Sequence, residues 1–265
     1  MYIDPLSSSV NPRIKELLLL KERSKERRER GLFVVEGVRE VSAAIGAGYD
    51  IEAIFFLPGS EGENIACTAS AKHIFSLTQS LYSKVAYREG TEGIISIVKY
   101  KERKLTDIQL SKNPLVIVLE SVEKPGNLGA VIRTADGVNA DAVIICDPLT
   151  DIFNPNIIRS SLGGVFTRNI CICSSQEAHK WLIKNEIKIF TTELQASKYY
   201  YNSDLSGATA IVMGSESSGL KSFWREHADE RIKIPMCGDI DSLNVSVSTA
   251  VICYEALRQR SVVNV

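Results

Sequence analysis

The stretch "LVIVLESVEKPGNLGAVIRTADG" (Leu115–Gly137) runs from an apolar segment through a Pro-Gly-Asn turn into a segment of helical character. Its apolar part is continuous, which is typical of a strand buried on both faces of a sheet. Five later runs have the same character: Ala142–Cys146, Asn169–Cys173, Ile187–Thr192, Ala210–Gly214 and Arg231–Pro235. Helical segments fall between most of them, at Leu128–Val138, Pro155–Leu162, Gln176–Asn185, Leu220–His227 and Leu243–Arg258. The pattern predicts an α/β fold with a mainly parallel, doubly wound sheet.

The residues before this sheet predict a smaller α/β domain. Asn11 is a suitable N-cap and Pro12 a suitable first residue for an amphipathic helix that runs to Gly31. Strand-like runs follow in "FVVEG", "IEAIFFL", "HIFSL" and "GIISIVKY". The polar segment 105–113 has the composition of a linker. We therefore predict domains at 1–104 and 114–265.

Composition limits the classes of function. The chain of 265 residues has a net charge of -1, so a nucleic-acid partner requires a local basic patch. The segment Lys21–Arg30 holds six basic residues against three Glu, which fits either phosphate contacts or a solvated helix face with Glu–Arg pairs. The six cysteines lack zinc-ligand spacing and are expected to be free, mostly buried thiols, so no metal site is predicted. Without a signal peptide or membrane span in the sequence, we expect a cytoplasmic protein.

The turn in the opening stretch resembles a phosphate-binding loop but lacks the dinucleotide fingerprint. Asn127 is expected to cap a helix that begins at Leu128. Gly129, Arg133 and Gly137 then recur every four residues, on roughly one face. Either the two glycines leave room for another chain beside the guanidinium, or the helix packs closely on a strand and Arg133 is merely exposed.

Two later turns also carry candidate site residues. In "IVMGSESSGL" (Ile211–Leu220), Gly214 ends a strand, Glu216 lies at the tip of the turn, and Ser217 or Ser218 is placed to cap the next helix. The second turn lies in the stretch Arg231–Arg260, where Ser242 and Asn244 begin a helix. This helix is apolar almost all round and is therefore expected to be buried. Buried polar side chains need partners, so this second turn is either a cap or a ligand site.

Three motifs in this order, "NLGAVIRTA", "GSESSGL" and "IPMCGDIDSLNVSVSTAVICYEALRQR", resemble those of the SpoU (TrmH-like) RNA ribose 2'-O-methyltransferases of the SPOUT superfamily. The resemblance spans about Pro114–Arg260. The "FVVEGVREV" passage is similar to the ribosomal-protein-like RNA-binding domain that many members carry. The resemblance implies a deep C-terminal trefoil knot, an exception to the rule that chains are unthreaded. It also implies a homodimer with active sites at the subunit interface.

The resemblance further implies S-adenosylmethionine as the cofactor and assigns site residues by motif position. The cofactor positions are Thr192, Glu193, Leu194, Gly214, Ile234, Met236 and Leu243. The catalytic and substrate-placing positions are Asn127, Arg133, Glu216, Ser242 and Asn244, and Arg258 is a candidate for another family arginine. We expect Glu216 to orient Asn127 or Asn244 through hydrogen bonds.

The chemistry of such a reaction leaves the role of Arg133 open. The family proposal makes this arginine the base that removes the 2'-hydroxyl proton, yet a free guanidinium has a pKa above about 12. In the first mechanism, Arg133 binds the adjacent phosphate and polarises the hydroxyl, while phosphate or water takes the proton. In the second, a packed interface desolvates the guanidinium enough to lower its pKa. We favour the first mechanism.

The substrate expected from the resemblance is RNA, because the reaction needs a ribose 2'-hydroxyl. The N-terminal domain favours ribosomal RNA over transfer RNA. The main competing function is a non-catalytic RNA-binding or assembly factor, which would share both domains but lack affinity for the cofactor. A nucleotide-dependent enzyme of another class would need a phosphate-binding loop, which the sequence lacks.

Overall fold

A computed structural model of the chain describes residues 5–87, 92–196 and 198–262. The strands are β1 Leu32–Glu36, β2 Ile51–Phe56, β3 Ala71–Ser76, β4 Ile94–Lys99, β5 Leu115–Glu120, β6 Ala142–Cys146, β7 Ile170–Cys173, β8 Lys188–Thr192, β9 Lys198–Tyr199, β10 Thr209–Met213 and β11 Glu230–Lys233. The helices are α1 Pro12–Glu22, α2 Ser24–Arg30, α3 Val38–Gly46, α4 Glu61–Thr68, α5 Gln79–Val85, α6 Pro125–Gly137, α7 Pro155–Ser160, α8 Gly164–Thr167, α9 Ser175–Lys184, α10 Ser222–Glu226 and α11 Val245–Val262.

The chain forms two compact units. The first contains Met1–Lys101 together with Asp151–Thr167, and the second contains Glu102–Thr150 together with Arg168–Val265. The predicted linker, 105–113, begins with the 3-10 turn Leu105–Asp107, and its apolar residues pack against the core of the second unit. The division of function between 1–104 and 114–265 stays a prediction.

The first unit is built on a four-stranded sheet of order β1-β4-β2-β3. The pairs of β4 with β1 and β2 are antiparallel, whereas β2 and β3 are parallel. All four predicted strands are confirmed, and α4 and α5 are additions that the sequence patterns did not indicate. The segment Asp151–Thr167 belongs to this unit through aromatic packing, because the ring of Phe153 stacks on Phe33 of β1 with centroids 4.1 Å apart.

The predicted single helix from Pro12 to Gly31 is wrong, because it breaks at Arg23. Arg23 has an extended backbone (φ -110°, ψ 111°) and separates α1 from α2. Arg27 accounts for the break. Its guanidinium donates hydrogen bonds to the carbonyls of Leu20 and Lys21, at 2.8 and 3.1 Å, and these carbonyls lie in the last turn of α1. Arg27 thereby helps to satisfy acceptors that a helix end leaves without intrahelical partners.

Arg27 is also the buried half of an ion pair. Its side chain is 2% exposed, and its Nε lies 2.6 Å from Oδ2 of Asp151, which is 5% exposed. Tyr100 donates its hydroxyl to the same carboxylate at 3.2 Å, and burial followed by the charge of Asp151 raises the pKa of Tyr100. One member of the predicted basic patch is therefore a structural residue.

The rest of the Lys21–Arg30 segment is partly paired with its own acidic residues. Lys25 lies 3.7 Å from Glu29, and Arg30 lies 2.9 Å from Glu26, both at i,i+4 spacing. These pairs fit the interpretation of a solvated helix face. RNA contact by this segment stays a prediction.

The second unit holds a seven-stranded sheet of order β7-β6-β5-β10-β8-β11-β9, in which every pair is parallel. All six predicted strands and the mainly parallel sheet are confirmed; the edge strand β9, only two residues long, was not predicted. Strands β5, β6 and β10 are buried throughout. Helix residues such as Leu182 of α9 and Trp224 of α10 cover one face of this sheet.

Two features of the predicted helices need correction. Helix α6 begins at Pro125 with Lys124 as its N-cap, so Asn127 lies inside the first turn and is not the cap. Helix α11 is not buried all round, since Val247 is 47% and Tyr254 is 52% exposed. No helix within the described ranges has the length and apolar character needed to cross a bilayer.

Arg260, near the end of α11, anchors that helix to the loops that lead into β5 and β10. Its guanidinium donates to the carbonyls of Asn113 and Pro114, directly before β5, and to those of Leu205 and Gly207, before β10. Burial lowers the pKa of Arg260. The four carbonyls replace the water that this half-buried cation loses.

Potential metal ligands are dispersed. The six cysteines are free, but the expectation that most are buried is not met: Cys146, Cys171 and Cys253 are buried, Cys173 is half-buried, and Cys67 and Cys237 are exposed. Among the residues that the structure describes, no three His, Cys, Asp or Glu side chains are grouped so that they could hold a metal ion.

We predict that Arg27→Met destabilises the chain by about 3 kcal/mol, because it leaves the Asp151 carboxylate buried without its cation and the α1 carbonyls without donors. The exposed neighbour Arg28 provides the matched control, and Arg28→Met should change stability by less than about 0.5 kcal/mol. Urea unfolding followed by far-UV circular dichroism measures both. Equal stabilities for the two variants would contradict the structural role of Arg27.

Candidate active site

A cavity of about 640 Å³ lies in the second unit, at the carboxyl ends of β8, β10 and β11. Because these strands are parallel, the loops that follow them leave from the same edge of the sheet. The N-terminal part of α11 and the preceding loop complete the wall. The lining includes Thr192, Glu193, Leu194, Gly214, Glu216, Ile234, Met236, Ser242, Leu243 and Asn244.

The loop after β10 is a tight turn that closes on its own backbone. A Cβ at Gly214 would lie 2.2 Å from the carbonyl carbon of Gly219, closer than any side chain tolerates. Gly219 has φ +66°, and its amide donates to the carbonyl of Ser215 at 3.0 Å. Glycine at 214 is therefore required by the neighbouring backbone itself. The expectation that Ser217 or Ser218 caps α10 is wrong, since the N-cap is Lys221.

The loop after β8 is fixed to both neighbouring strands. Thr192 donates its hydroxyl to the carbonyl of Val212 on β10 at 3.0 Å, and the amide of Glu193 donates to the carbonyl of Ile232 on β11 at 3.0 Å. The Glu193 side chain is 10% exposed and lies 3.8 Å from Arg225. These contacts place a carboxylate and a guanidinium together on the cavity wall.

A chain of amide contacts joins α6, the β10 loop and α11. The side-chain Oδ1 of Asn244 accepts from the amide of Ser246 at 2.9 Å, so Asn244 caps α11 as expected. Its Nδ2 donates to Oδ1 of Asn127 at 3.2 Å, and the Nδ2 of Asn127 donates to Glu216. Each amide thus has its oxygen and nitrogen assigned to different partners, which fixes the orientation of the Glu216 carboxylate.

The predicted residues converge, except for the two arginines, Arg133 and Arg258. All seven predicted cofactor positions line the cavity, and so do Glu216, Ser242 and Asn244. Asn127 joins them through hydrogen bonds, whereas Arg133 is exposed and is not among the lining residues. The sequence patterns missed three basic lining residues, Lys124, Arg225 and Lys233. Arg225 lies in the predicted helix Leu220–His227 and Lys233 in the predicted strand Arg231–Pro235, but neither side chain belongs to a motif.

Arg133 lies on a different side of α6 from Asn127. Six residues of an α-helix correspond to a rotation of about 240°, so the two side chains point in different directions. The residues on the Arg133 side include Gly137, where an added Cβ would lie 2.9 Å from the hydroxyl of Tyr254 on α11. The space left by Gly137 therefore accommodates Tyr254 of the same chain. Arg258 pairs with Glu255 at 2.8 Å on the exposed surface.

Two sequence families match the chain. The SpoU rRNA Methylase family matches residues 114–254, and the MRM3-like substrate binding domain matches residues 11–96. Together the two matches cover most of the sequence, and residues 97–113 lie between them.

Relatives and a solved structure show similarity along nearly the whole chain. The 23S rRNA (guanosine-2'-O-)-methyltransferase RlmB of Escherichia coli strain K12 is 30% identical over 240 residues, 86% of this chain and 99% of that protein. The 23S rRNA (uridine(2479)-2'-O)-methyltransferase of Streptomyces viridochromogenes is 26% identical over 263 residues, 96% of this chain and 92% of that protein. The crystal structure of the SpoU methyltransferase AviRb from Streptomyces viridochromogenes, in complex with the cofactor AdoMet, has a TM-score of 0.87 at 25% identity and covers 95% of this chain and 98% of that chain.

We predict that Gly214→Ala destabilises the chain by about 2 to 3 kcal/mol, because the added methyl group forces the Gly219 backbone away. Gly207→Ala is the matched control, since a Cβ at Gly207 meets no atom within 4 Å. It should leave stability unchanged or raise it by up to about 1 kcal/mol. Urea unfolding followed by tryptophan fluorescence tests the pair. A Gly214→Ala variant as stable as the unsubstituted chain would show that the turn relaxes freely.

Proposed function

The chain belongs to the SpoU rRNA methylase family, and from this membership we propose that it transfers a methyl group from S-adenosylmethionine to a ribose 2'-hydroxyl in 23S ribosomal RNA of the cytoplasm. One structural observation carries the proposal. The three loops place all seven predicted cofactor positions around a single cavity. Its volume lies within the range of about 300 to 1,000 Å³ that small-molecule sites occupy.

The residues of the cavity fit S-adenosylmethionine chemically. Leu194 and Leu243 on the wall are 60% and 38% exposed, and they offer apolar surface to a flat adenine ring. Glu193 and Asp241 supply carboxylates for a ligand that carries an ammonium and a sulfonium group. Thr192, Gly214, Ile234 and Met236 complete the set that would hold the cofactor. When bound, it supplies an activated methyl group whose leaving group is neutral and needs no acid.

Asn127, Glu216 and Asn244 position the reacting groups. Their hydrogen-bond chain begins at the N-terminus of α11 and ends at the Glu216 carboxylate on the cavity wall. A fixed carboxylate accepts a hydrogen bond from a ribose hydroxyl and holds the sugar in one orientation. In-line placement of this kind supplies several kcal/mol of a transfer barrier. Ser242 lines the same wall and contributes a further hydroxyl.

Arg133 binds the phosphate next to the target ribose and polarises the 2'-hydroxyl, while phosphate or water accepts the proton. The guanidinium carries planar donors that suit a bidentate contact with a phosphate, and it is exposed in the single chain. Arg133 does not line the cavity of its own chain. We therefore assign it to the cavity of a partner copy in a homodimer.

The homodimer is supported by uncovered apolar surface on α11. Val247 and Tyr254 on α11 are 47% and 52% exposed, and Tyr254 lies against α6 at Gly137. An exposed apolar strip of this kind is expected at an interface between subunits. The three loops and α11 correspond to the segments that form the deep trefoil knot of the family. Tracing the chain in an experimental density map would test the knot.

The 1–104 domain is proposed to bind RNA, and 114–265 is proposed to carry out the transfer. The match of 11–96 to a substrate binding domain supports this division. The two relatives act on guanosine and uridine, so the target base is left to experiment. Ribosomal RNA is favoured over transfer RNA because both relatives are 23S rRNA enzymes.

Transfer is tested with the purified chain, S-adenosylmethionine and 23S rRNA that lacks 2'-O-methyl groups. We expect methyl incorporation and measurable cofactor binding by calorimetry. Arg133→Lys should reduce kcat by at least about tenfold while cofactor affinity changes less than about twofold, because lysine lacks the bidentate contact to phosphate. Mapping of 2'-O-methyl sites in RNA from cells with and without the gene identifies the target nucleotide.

The outcomes separate the competing functions. RNA binding without cofactor binding would identify a non-catalytic assembly factor. Transfer to transfer RNA alone would correct the substrate. Full activity in Arg133→Lys would remove Arg133 from the reaction while leaving the methyltransferase assignment intact.

The homodimer is tested by sedimentation, where the chain should have about twice its monomer mass of 29.2 kDa. Val247→Asp should shift the chain to the monomer, because it places a charge in the apolar strip. Val10→Asp is the matched control, since Val10 is 67% exposed outside this strip, and the substitution should leave the mass unchanged. A monomeric unsubstituted chain, or a dimer that tolerates Val247→Asp, would contradict this interface.

A further inference from the structure

Two tyrosine rings lie stacked and exposed at the edge of the seven-stranded sheet. Tyr199 is the last residue of the edge strand β9, and Tyr201 follows in the 3-10 turn Tyr200–Asn202. Their ring centroids are 5.5 Å apart with an interplanar angle of 23°. Tyr199 is 38% and Tyr201 is 47% exposed. Two near-parallel aromatic rings at a surface present a flat apolar face that suits another planar group.

A lysine connects this aromatic surface to the cavity. The Nζ of Lys233 lies 5.4 Å from the ring centroid of Tyr199, and Lys233 also lines the cavity. The arrangement follows from strand register, because Tyr199 on β9 and Lys233 on β11 are direct partners. Side chains of direct partners lie side by side on one face of a sheet. The tyrosine pair is therefore next to the proposed methyl-transfer site.

The surrounding strands are basic. On β11, Arg231 and Lys233 share the face of the sheet that carries Tyr199, whereas Lys198 and Glu230 point to the opposite face. Glu230 lies 2.7 Å from Lys198 and 2.6 Å from Lys188 of β8. Although burial opposes it, hydrogen bonds from these lysines and from a serine lower the pKa of Glu230 to about 2. This local excess of positive charge occurs in a chain of net charge -1 and is complementary to phosphate.

We propose that Tyr199 and Tyr201 form a stacking platform for an unpaired nucleobase of the RNA substrate, adjacent to the target nucleotide, and that Lys233 contacts the intervening phosphate. The proposal rests on the proposed function. Stacking accepts any base because each has a π-face, so the platform positions the RNA without reading its sequence.

A second copy of the chain is a less suitable occupant. Contact between two copies about a two-fold axis places the same patch against itself, which would bring Arg231 and Lys233 against their own counterparts. Like charges in such a contact repel one another. An RNA strand instead supplies both the planar base and the negative charge.

The double variant Tyr199→Ala/Tyr201→Ala tests the platform, and Tyr199→Phe/Tyr201→Phe is its matched control. The probe is the shortest 23S rRNA fragment that the unsubstituted chain methylates. Because a base stacked on an aromatic side chain loses its platform when alanine replaces the ring, KM for this fragment should rise by about tenfold or more in the alanine variant. Its kcat and its affinity for S-adenosylmethionine should change less than about twofold. The phenylalanine variant keeps both rings and should retain the original KM.

A spectroscopic readout identifies stacking directly. The same fragment with 2-aminopurine in place of each base next to the target, one at a time, should lose fluorescence on binding at one position. This quenching should persist in the phenylalanine variant and disappear in the alanine variant. A structural role of the tyrosines alone would not produce that difference.

The remaining outcomes overturn specific statements. If the unsubstituted chain methylates the fragment and the alanine variant keeps its KM and its quenching, the platform is wrong and the proposed function stands. If the alanine variant changes the sedimenting mass, the tyrosines belong to a contact between subunits and the platform is again wrong. If the unsubstituted chain methylates no RNA, the proposed function fails and the platform fails with it.

Discussion

The parallel pairing of the seven-stranded sheet is the constraint on which the candidate site depends. Strand β8 is paired in parallel with both β10 and β11, so the carboxyl ends of all three strands lie on the same side of the sheet. Their loops have no other place to meet, and the cavity lies where they do. The central strands of this sheet are buried, so polar loops contact water at the ends of the strands.

Within that frame, the positions of the loops are coupled by short-range contacts. The backbone of Gly219 comes so close to Gly214 that no side chain fits at 214. Asn127 links the first turn of α6 to Glu216 in one loop and to Asn244 at the start of α11. Arg260 anchors the far end of α11 through backbone carbonyls. A displacement of α11 would therefore alter the amide chain, which is the physical basis for treating these residues as one site.

The sequence patterns predicted the large sheet well because buried parallel strands need continuous apolar runs. They failed where an element depends on a distant residue. The break between α1 and α2 depends on Arg27, whose carboxylate partner, Asp151, is 124 residues away. Asn127 is a residue type that commonly caps helices, yet Lys124 is the N-cap and Asn127 instead donates a hydrogen bond to Glu216 in the β10 loop. Lys233 gives no signal as a cavity residue, because only strand register brings it there.

By itself the sequence determined the α/β class and the six main strands of the large sheet, since apolar periodicity is a local property of a chain. Its ordered motifs also indicated ten of the residues that line the cavity, but not Lys124, Arg225 or Lys233. Tertiary structure decided which of those residues touch. It placed Asn127 between Glu216 and Asn244, left Arg133 outside the cavity of its own chain, and grouped 151–167 with the N-terminal unit. Such contacts join residues as far apart as Asn113 and Arg260, which are 147 positions apart in the sequence. Their geometry follows from strand register and helix rotation, which no local pattern encodes.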